Sequence, residues 1–179
     1  MRVEEVHVKK LGALTDAVDP ALARILERYL SGAISAPVAL MQLLIETEDA
    51  GVVRLGVAAV GRNAKLGGAG AIVQGRVDEL ERLMIANDAG CKRIAAMLGA
   101  NMDSAKPARS VDEGIAFCER LFDWSVRQSE EASVALYSLG NPELLEHATA
   151  EIVTQLREWS AITAETELLD IGCGIGRLL

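Results

Sequence analysis

Two Phe, two Tyr and two Trp among 179 residues leave this chain little aromatic bulk, so its core must be assembled from Ala, Leu, Val and Ile. Such side chains suit closely packed helices better than a β-sandwich, whose strands favour aromatic and β-branched residues. Half of the residues are apolar and a quarter charged, which is a globular composition rather than a disordered one. The length holds one ordinary domain or two small ones. A mainly α protein is therefore expected.

Helical punctuation supports this. Asp19-Pro20 is a capping acid followed by proline at the first helical position, and Leu22, Ile25, Leu26, Tyr29 and Leu30 then share one face until Ser31-Gly32. A second helix is expected from near Pro37 to Gly51, apolar around most of its circumference up to Glu46 and therefore buried. Between Gly51 and Gly75 seven glycines interrupt any regular pattern, and Val53, Val57 and Val60 allow only a short helix. The cluster Gly67-Gly68-Ala69-Gly70 lacks both a preceding strand and a following Lys-Ser or Lys-Thr, so it reads as a connection rather than a phosphate cradle. Periodicity returns with Val77, Leu80, Leu83 and Met84, and again with Ile94, Ala95 and Leu98 up to Gly99. Asn101 to Arg109, with Pro107, is the expected linker, giving a helical region over 1–109 and a second region over 110–179.

The second region opens with Ser110-Val111-Asp112-Glu113, a capping box. The apolar stripe Val111, Ile115, Cys118 and Phe122 follows, opposed by Asp112, Glu119, Asp123 and Arg127, so Cys118 reads as a small core residue rather than a nucleophile. Glu130-Glu131 reads as a solvated turn. Asn141-Pro142 repeats the cap-then-proline start, with Leu145, Ala148, Ile152, Leu156 and Trp159 along one side. His147 reads as a surface or capping residue, with no carboxylate or second His recognised at ligand spacing.

Three widely separated cysteines without a CxxC pair, and only two His, argue for a reducing cytoplasm and against structural zinc. No apolar run is long enough to span a membrane and the start lacks a signal-peptide pattern, so a soluble protein is expected. The net charge of −8 is uneven: residues 1–110 carry 14 basic and 13 acidic side chains, and residues 111–179 carry 4 and 13. An acidic half repels phosphate backbones, which disfavours a nucleic-acid partner.

From Thr166 the pattern changes. Leu168-Leu169-Asp170-Ile171 reads as a buried parallel strand, followed by the turn Gly172-Cys173-Gly174-Ile175-Gly176 and the start of a helix at Arg177. Glycines are needed where the chain reverses sharply and where a ligand must approach the backbone. A dinucleotide site requires G-x-G-x-x-G, whereas these glycines stand two apart and Arg177 takes the third position. A Walker A loop is excluded by the missing Lys-Ser or Lys-Thr.

The order D-x-G-x-G-x-G resembles motif I of class I S-adenosylmethionine-dependent methyltransferases. That resemblance implies an acidic role for Asp170 at the methionine end of the cofactor, and close backbone contact from Gly172, Cys173, Gly174 and Gly176. The chemistry is consistent, since a cationic sulfonium bearing an ammonium favours a carboxylate that a pyrophosphate would oppose. Phe122 to Pro142, with residues 132–140 within it, is similar to the lead-in segment of some bacterial small-molecule methyltransferases, which would set Tyr137 beside a pocket; packing half-buried between helices is its other reading. The resemblance thus implies a helical extension followed by the first strand and cofactor loop of an incomplete, Rossmann-like α/β domain, from a cytoplasmic enzyme with a small-molecule acceptor. As a fragment the chain would be inactive, and no catalytic base is identified. The strand, lacking sheet neighbours, would pair in a homodimer or fray. A helical interaction or dimerisation module is the rival expectation.

Overall fold

The computed structural model describes residues 11–68, 70–102, 110–167, 169, 171 and 174–178. The chain divides into two units, Met1–Ala105 and Lys106–Leu179.

The first unit is a helical bundle. After a helical stretch over 11–15, α1 (Pro20–Leu30), α2 (Ala36–Thr47), α3 (Ala50–Leu66), α4 (Ala71–Ala86) and α5 (Asp88–Met102) follow. Asp19 caps α1 by accepting the Ala21 N–H at 2.8 Å, and Leu22, Leu26, Tyr29 and Leu30 are buried. α2 supplies the centre with Ala39, Leu40, Leu43 and Leu44 and ends earlier than expected, at Glu48, whose φ is 51°.

The glycine-rich stretch corrects the sequence reading. Instead of a short helix, α3 runs for 17 residues through Gly51, Gly56 and Gly61, its N-terminus held by Asp49, which accepts from Gly51 N–H at 2.6 Å and Val52 N–H at 3.2 Å. Val53, Val57, Val60 and Ala64 keep a helical stripe that the glycines do not break. Gly61 faces α4 closely: a Cβ there would lie 2.9 Å from Glu81 Oε1 and 3.2 Å from Val77 Cγ1, so both side chains would have to shift. The expected break after Leu66 is present, with Gly68 at φ 60°.

Polar pins tie these helices together. The Tyr29 hydroxyl lies 2.7 Å from the Arg76 carbonyl and 2.8 Å from Glu79 Oε2, while Arg76 Nη1 donates back to the Tyr29 carbonyl at 3.0 Å. Burial, and then the Glu79 hydrogen bond, push the Tyr29 phenol pKa well up. Asn63 Nδ2 donates to the Leu14 carbonyl at 2.9 Å, fastening the 11–15 stretch to α3. Asp88, on α5, pairs with Arg54 and with Lys92 one turn along, and the Lys92 hydrogen bond leads the causes that lower its pKa.

The second unit contains α6 (Val111–Gln128), α7 (Glu130–Val134), a 3-10 turn over Leu136–Ser138 and α8 (Pro142–Glu158). Ser110 caps α6 by accepting the Glu113 N–H at 3.2 Å, and Ser129 caps α7 through the Ala132 N–H at 3.2 Å. Glu130 and Glu131 are therefore the first turn of a helix, where acids complement the dipole, not a free turn. The buried residues described here are few and small: Ser125, Ser129, Ala132, Ala135, Ser138 and Leu139. The α6 stripe does not enter a core, since Val111 is 78 %, Ile115 53 % and Phe122 60 % exposed and Cys118 lies open beside them.

The expected first strand of a Rossmann-like domain is not present. Among the described residues there is no strand. Leu169 belongs to no regular element and Ile171 to a turn, at 82 % and 88 % exposure; Leu168 and Asp170 lie outside the described residues. The physical reason is hydrogen bonding. An interior parallel strand needs a partner on each side for its N–H and C=O groups, and the described residues supply neither. The strand-paired homodimer loses its basis with it; the mainly α expectation agrees with the fold.

Candidate functional site

The residues singled out by the glycine string fall at the end of the second unit. Asp170, Gly172 and Cys173 lie outside the described residues. Gly174 and Gly176 are in turns with φ of 60° and 76°, a left-handed backbone that side chains resist. Gly174 has a further constraint: a Cβ on it would sit 2.8 Å from Val134 Cγ1, so the turn approaches the end of α7 more closely than any other residue type would permit.

Arg177 anchors this turn. Its Nε donates to Thr149 Oγ1 of α8 at 2.8 Å, and its guanidinium carbon stands 5.7 Å from the centre of the Tyr137 ring. Tyr137 is held for that contact by the 3-10 turn and by the chain reversal at Leu139 (φ 56°) and Gly140 (φ 66°). The reversal leads into Asn141, which caps α8 by accepting the Glu143 N–H at 2.9 Å. Tyr137 is half-buried, as its packing role requires, and its face is turned to a cation that periodicity did not associate with it.

A cleft of about 650 Å³ opens along α8, where Leu145, Thr149 and Val153 face Ile175 and Arg177. Glu130, Glu131 and Glu146 also line it, with Arg157 as its second cation. Arg177 Nη2 is buried and has no hydrogen-bond partner among the described residues. A buried donor left unsatisfied costs roughly 1–3 kcal/mol, and more when charged, so this guanidinium is held short of an acceptor. Sequence reading placed Arg177 as a departure from the dinucleotide pattern and as the start of a helix, whereas it lies in a turn. Thr149 gave no signal, and Glu130 and Glu131 read only as a solvated turn, because what joins them to Arg177 is a chain reversal.

Other residues considered for chemistry fall away. His147 is exposed and lies 3.3 Å from Glu151, a carboxylate one helical turn on that spacing alone could have revealed. Cys91, at the start of α5, is fully buried, and burial followed by the charge of Asp88 raises its thiol pKa to about 11, the reverse of an activated nucleophile. Among the described residues no group of three or more His, Cys, Asp or Glu is arranged to hold a metal ion, and no helix is long and apolar enough to cross a membrane. No family model matches the chain, and no match to it was found among curated proteins or solved structures.

Proposed function

We propose that the chain carries the cofactor loop of an S-adenosylmethionine-dependent methyltransferase of a reducing, cytoplasmic compartment, with a small-molecule methyl acceptor. The supporting observation is the left-handed backbone at Gly174 and Gly176, the two described glycines of the D-x-G-x-G-x-G string. Positive φ at alternate positions bares backbone N–H and C=O groups to a ligand, while the side of Gly174 that lacks a Cβ packs against Val134. Asp170 is assigned to the ammonium of the cofactor's amino-acid end, with Gly172, Cys173, Gly174 and Gly176 against its body. Bound there, the cofactor supplies an electrophilic methyl group for in-line displacement by an O, N or C nucleophile; the protein's part is alignment. No residue is assigned as base. The reading concerns the loop and its ligand, and does not include a sheet.

Calorimetric titration with S-adenosylhomocysteine tests it. In the related fold a second acid, about 20 residues beyond the loop, holds the ribose. The 179-residue chain therefore engages only one edge of the cofactor, and its dissociation constant should be weaker than about 1 µM. Gly174→Val should abolish the remaining binding while the far-UV circular dichroism stays helical, because Val resists φ 60° and collides with Val134. Undiminished affinity in that variant would remove the loop from consideration.

A second reading, a helical module that binds other protein surfaces, is favoured by the exposed stripe Val111, Ile115 and Phe122 on α6. It expects self-association in sedimentation equilibrium that Phe122→Glu abolishes, together with no response to S-adenosylhomocysteine.

A further inference from the structure

We propose that the cleft between α8 and the turn at Gly174–Leu178 binds a small α-amino acid as its zwitterion, with the ligand carboxylate on Arg177. Three observations carry this. The first is the unsatisfied donor: Arg177 Nη2 is buried without an acceptor among the described residues, although its Nε is fixed by Thr149 at 2.8 Å and its guanidinium carbon stands 5.7 Å from the centre of the Tyr137 ring. A guanidinium oriented in this way presents a fork that matches a carboxylate in two parallel hydrogen bonds. A ligand that brings two oxygens ends an existing deficit as well as making a contact.

The second observation is the charge around the fork. Glu130, Glu131 and Glu146 line the same cleft against Arg157 and Arg177, three acids to two bases. A simple carboxylate or phosphate would meet that acidic excess. A ligand carrying an ammonium beside its carboxylate satisfies both signs at once, and the acids become its partners. The third is shape and polarity: Leu145, Val153 and Ile175 form an apolar wall in a volume of about 650 Å³, enough for an aliphatic side chain.

The same zwitterion exists in a free amino acid and at the amino-acid end of S-adenosylmethionine, and only the second source rests on the methyltransferase reading. Titration calorimetry of the 179-residue chain separates the two, using L-leucine, L-leucinamide, isovalerate, S-adenosylmethionine and 5′-methylthioadenosine, which lacks the amino-acid end. L-leucine should bind, whereas leucinamide and isovalerate, each missing one charge, should bind at least tenfold more weakly. Arg177→Gln should weaken L-leucine by tenfold or more. Glu146→Gln, on the exposed side of α8 and harmless to folding, should weaken it several-fold, so the inference does not depend on one variant staying folded.

Arg177-dependent binding of L-leucine without any of S-adenosylmethionine would establish the cleft and sink the cofactor reading. Arg177-dependent binding of S-adenosylmethionine alone, with none of methylthioadenosine, would establish the cleft as the cofactor's amino-acid end. Equal affinity for L-leucine, leucinamide and isovalerate, or affinities unchanged in both variants, would overturn the proposal.

Discussion

The two units share a secondary structure and differ in what they do with it. In the first, each apolar stripe finds another: Leu22 and Leu26 of α1, Leu40 and Leu43 of α2, Val57 and Val60 of α3 and Leu80 of α4 are at most 3 % exposed. In the second, α6 is more amphipathic than every other described helix except α1, yet its one buried residue is Ser125. Amphipathicity is a property of one helix, whereas burial needs a second surface of matching shape. The second unit is held by caps, a chain reversal and one arginine more than by a core.

The sharpest way to break this contrast is to truncate one large apolar residue in each unit. Leu40→Ala removes a side chain at the bundle centre with 0 % exposure and should cost about 2–5 kcal/mol. Phe122→Ala, at 60 % exposure, should stay within about 0.5 kcal/mol. Urea melts followed by far-UV circular dichroism measure the first. Tryptophan fluorescence follows the second, because Trp124 and Trp159 both lie beyond residue 110. A loss above about 2 kcal/mol for Phe122→Ala would mean that the α6 stripe is covered in solution and the contrast is false.

Next in size is the pH response of the first unit, which carries the buried thiol. Cys91 titrates at about 11 when folded against an ordinary value of 9.0, so the folded state holds this proton more tightly than the unfolded chain. The stabilisation is fully present below pH 9 and is lost as pH rises from 9 to about 11, amounting to about 2–3 kcal/mol. Tyr29 adds a loss of the same sign at still higher pH. Cys91→Ala should flatten the dependence of urea midpoints between pH 8 and 10.5, leaving only the tyrosine part. An unchanged slope would show that the thiol is not sequestered.

These outcomes bear on what the sequence could reveal. Caps were legible, since Asp19, Ser110 and Asn141 each accept the N–H bonds that their positions imply. The central apolar residues of α1 and α2 were legible through their spacing. Gly51, Gly56 and Gly61 misled because glycine was read as a helix break, whereas α3 runs through all three, and at Gly61 the missing side chain leaves space for Val77 and Glu81 of α4. Leu168 to Ile171 misled for a different reason: an apolar run has the composition of a strand, but a strand exists only with a neighbour to bond to. Gly174 and Gly176 are in turns with positive φ, and a glycine turn was legible at the end of the second unit. The Arg177, Thr149 and Tyr137 cluster was not, because it joins residues up to 40 apart through turns that no periodicity marks.

Two glycines of the first unit sharpen the comparison at the scale of one side chain. Gly61→Val places carbon where Val77 Cγ1 already stands 3.2 Å from a Cβ, and overpacking of this kind costs about 1–3 kcal/mol. The smallest effect has the opposite sign. Gly75 is exposed in the middle of α4, with no atom within 4 Å of a Cβ built on it. Its φ lies outside the left-handed region, so alanine is accommodated without strain. The unfolded glycine has more backbone freedom to lose, and Gly75→Ala should therefore stabilise the bundle by about 0.5–1 kcal/mol. The two substitutions lie 14 residues apart in sequence on adjacent helices, and matched urea melts should move their midpoints in opposite directions. If Gly75→Ala instead lowers the midpoint, that face of α4 is in contact with another surface in solution, and the bundle does not meet solvent where its exposed residues say it does.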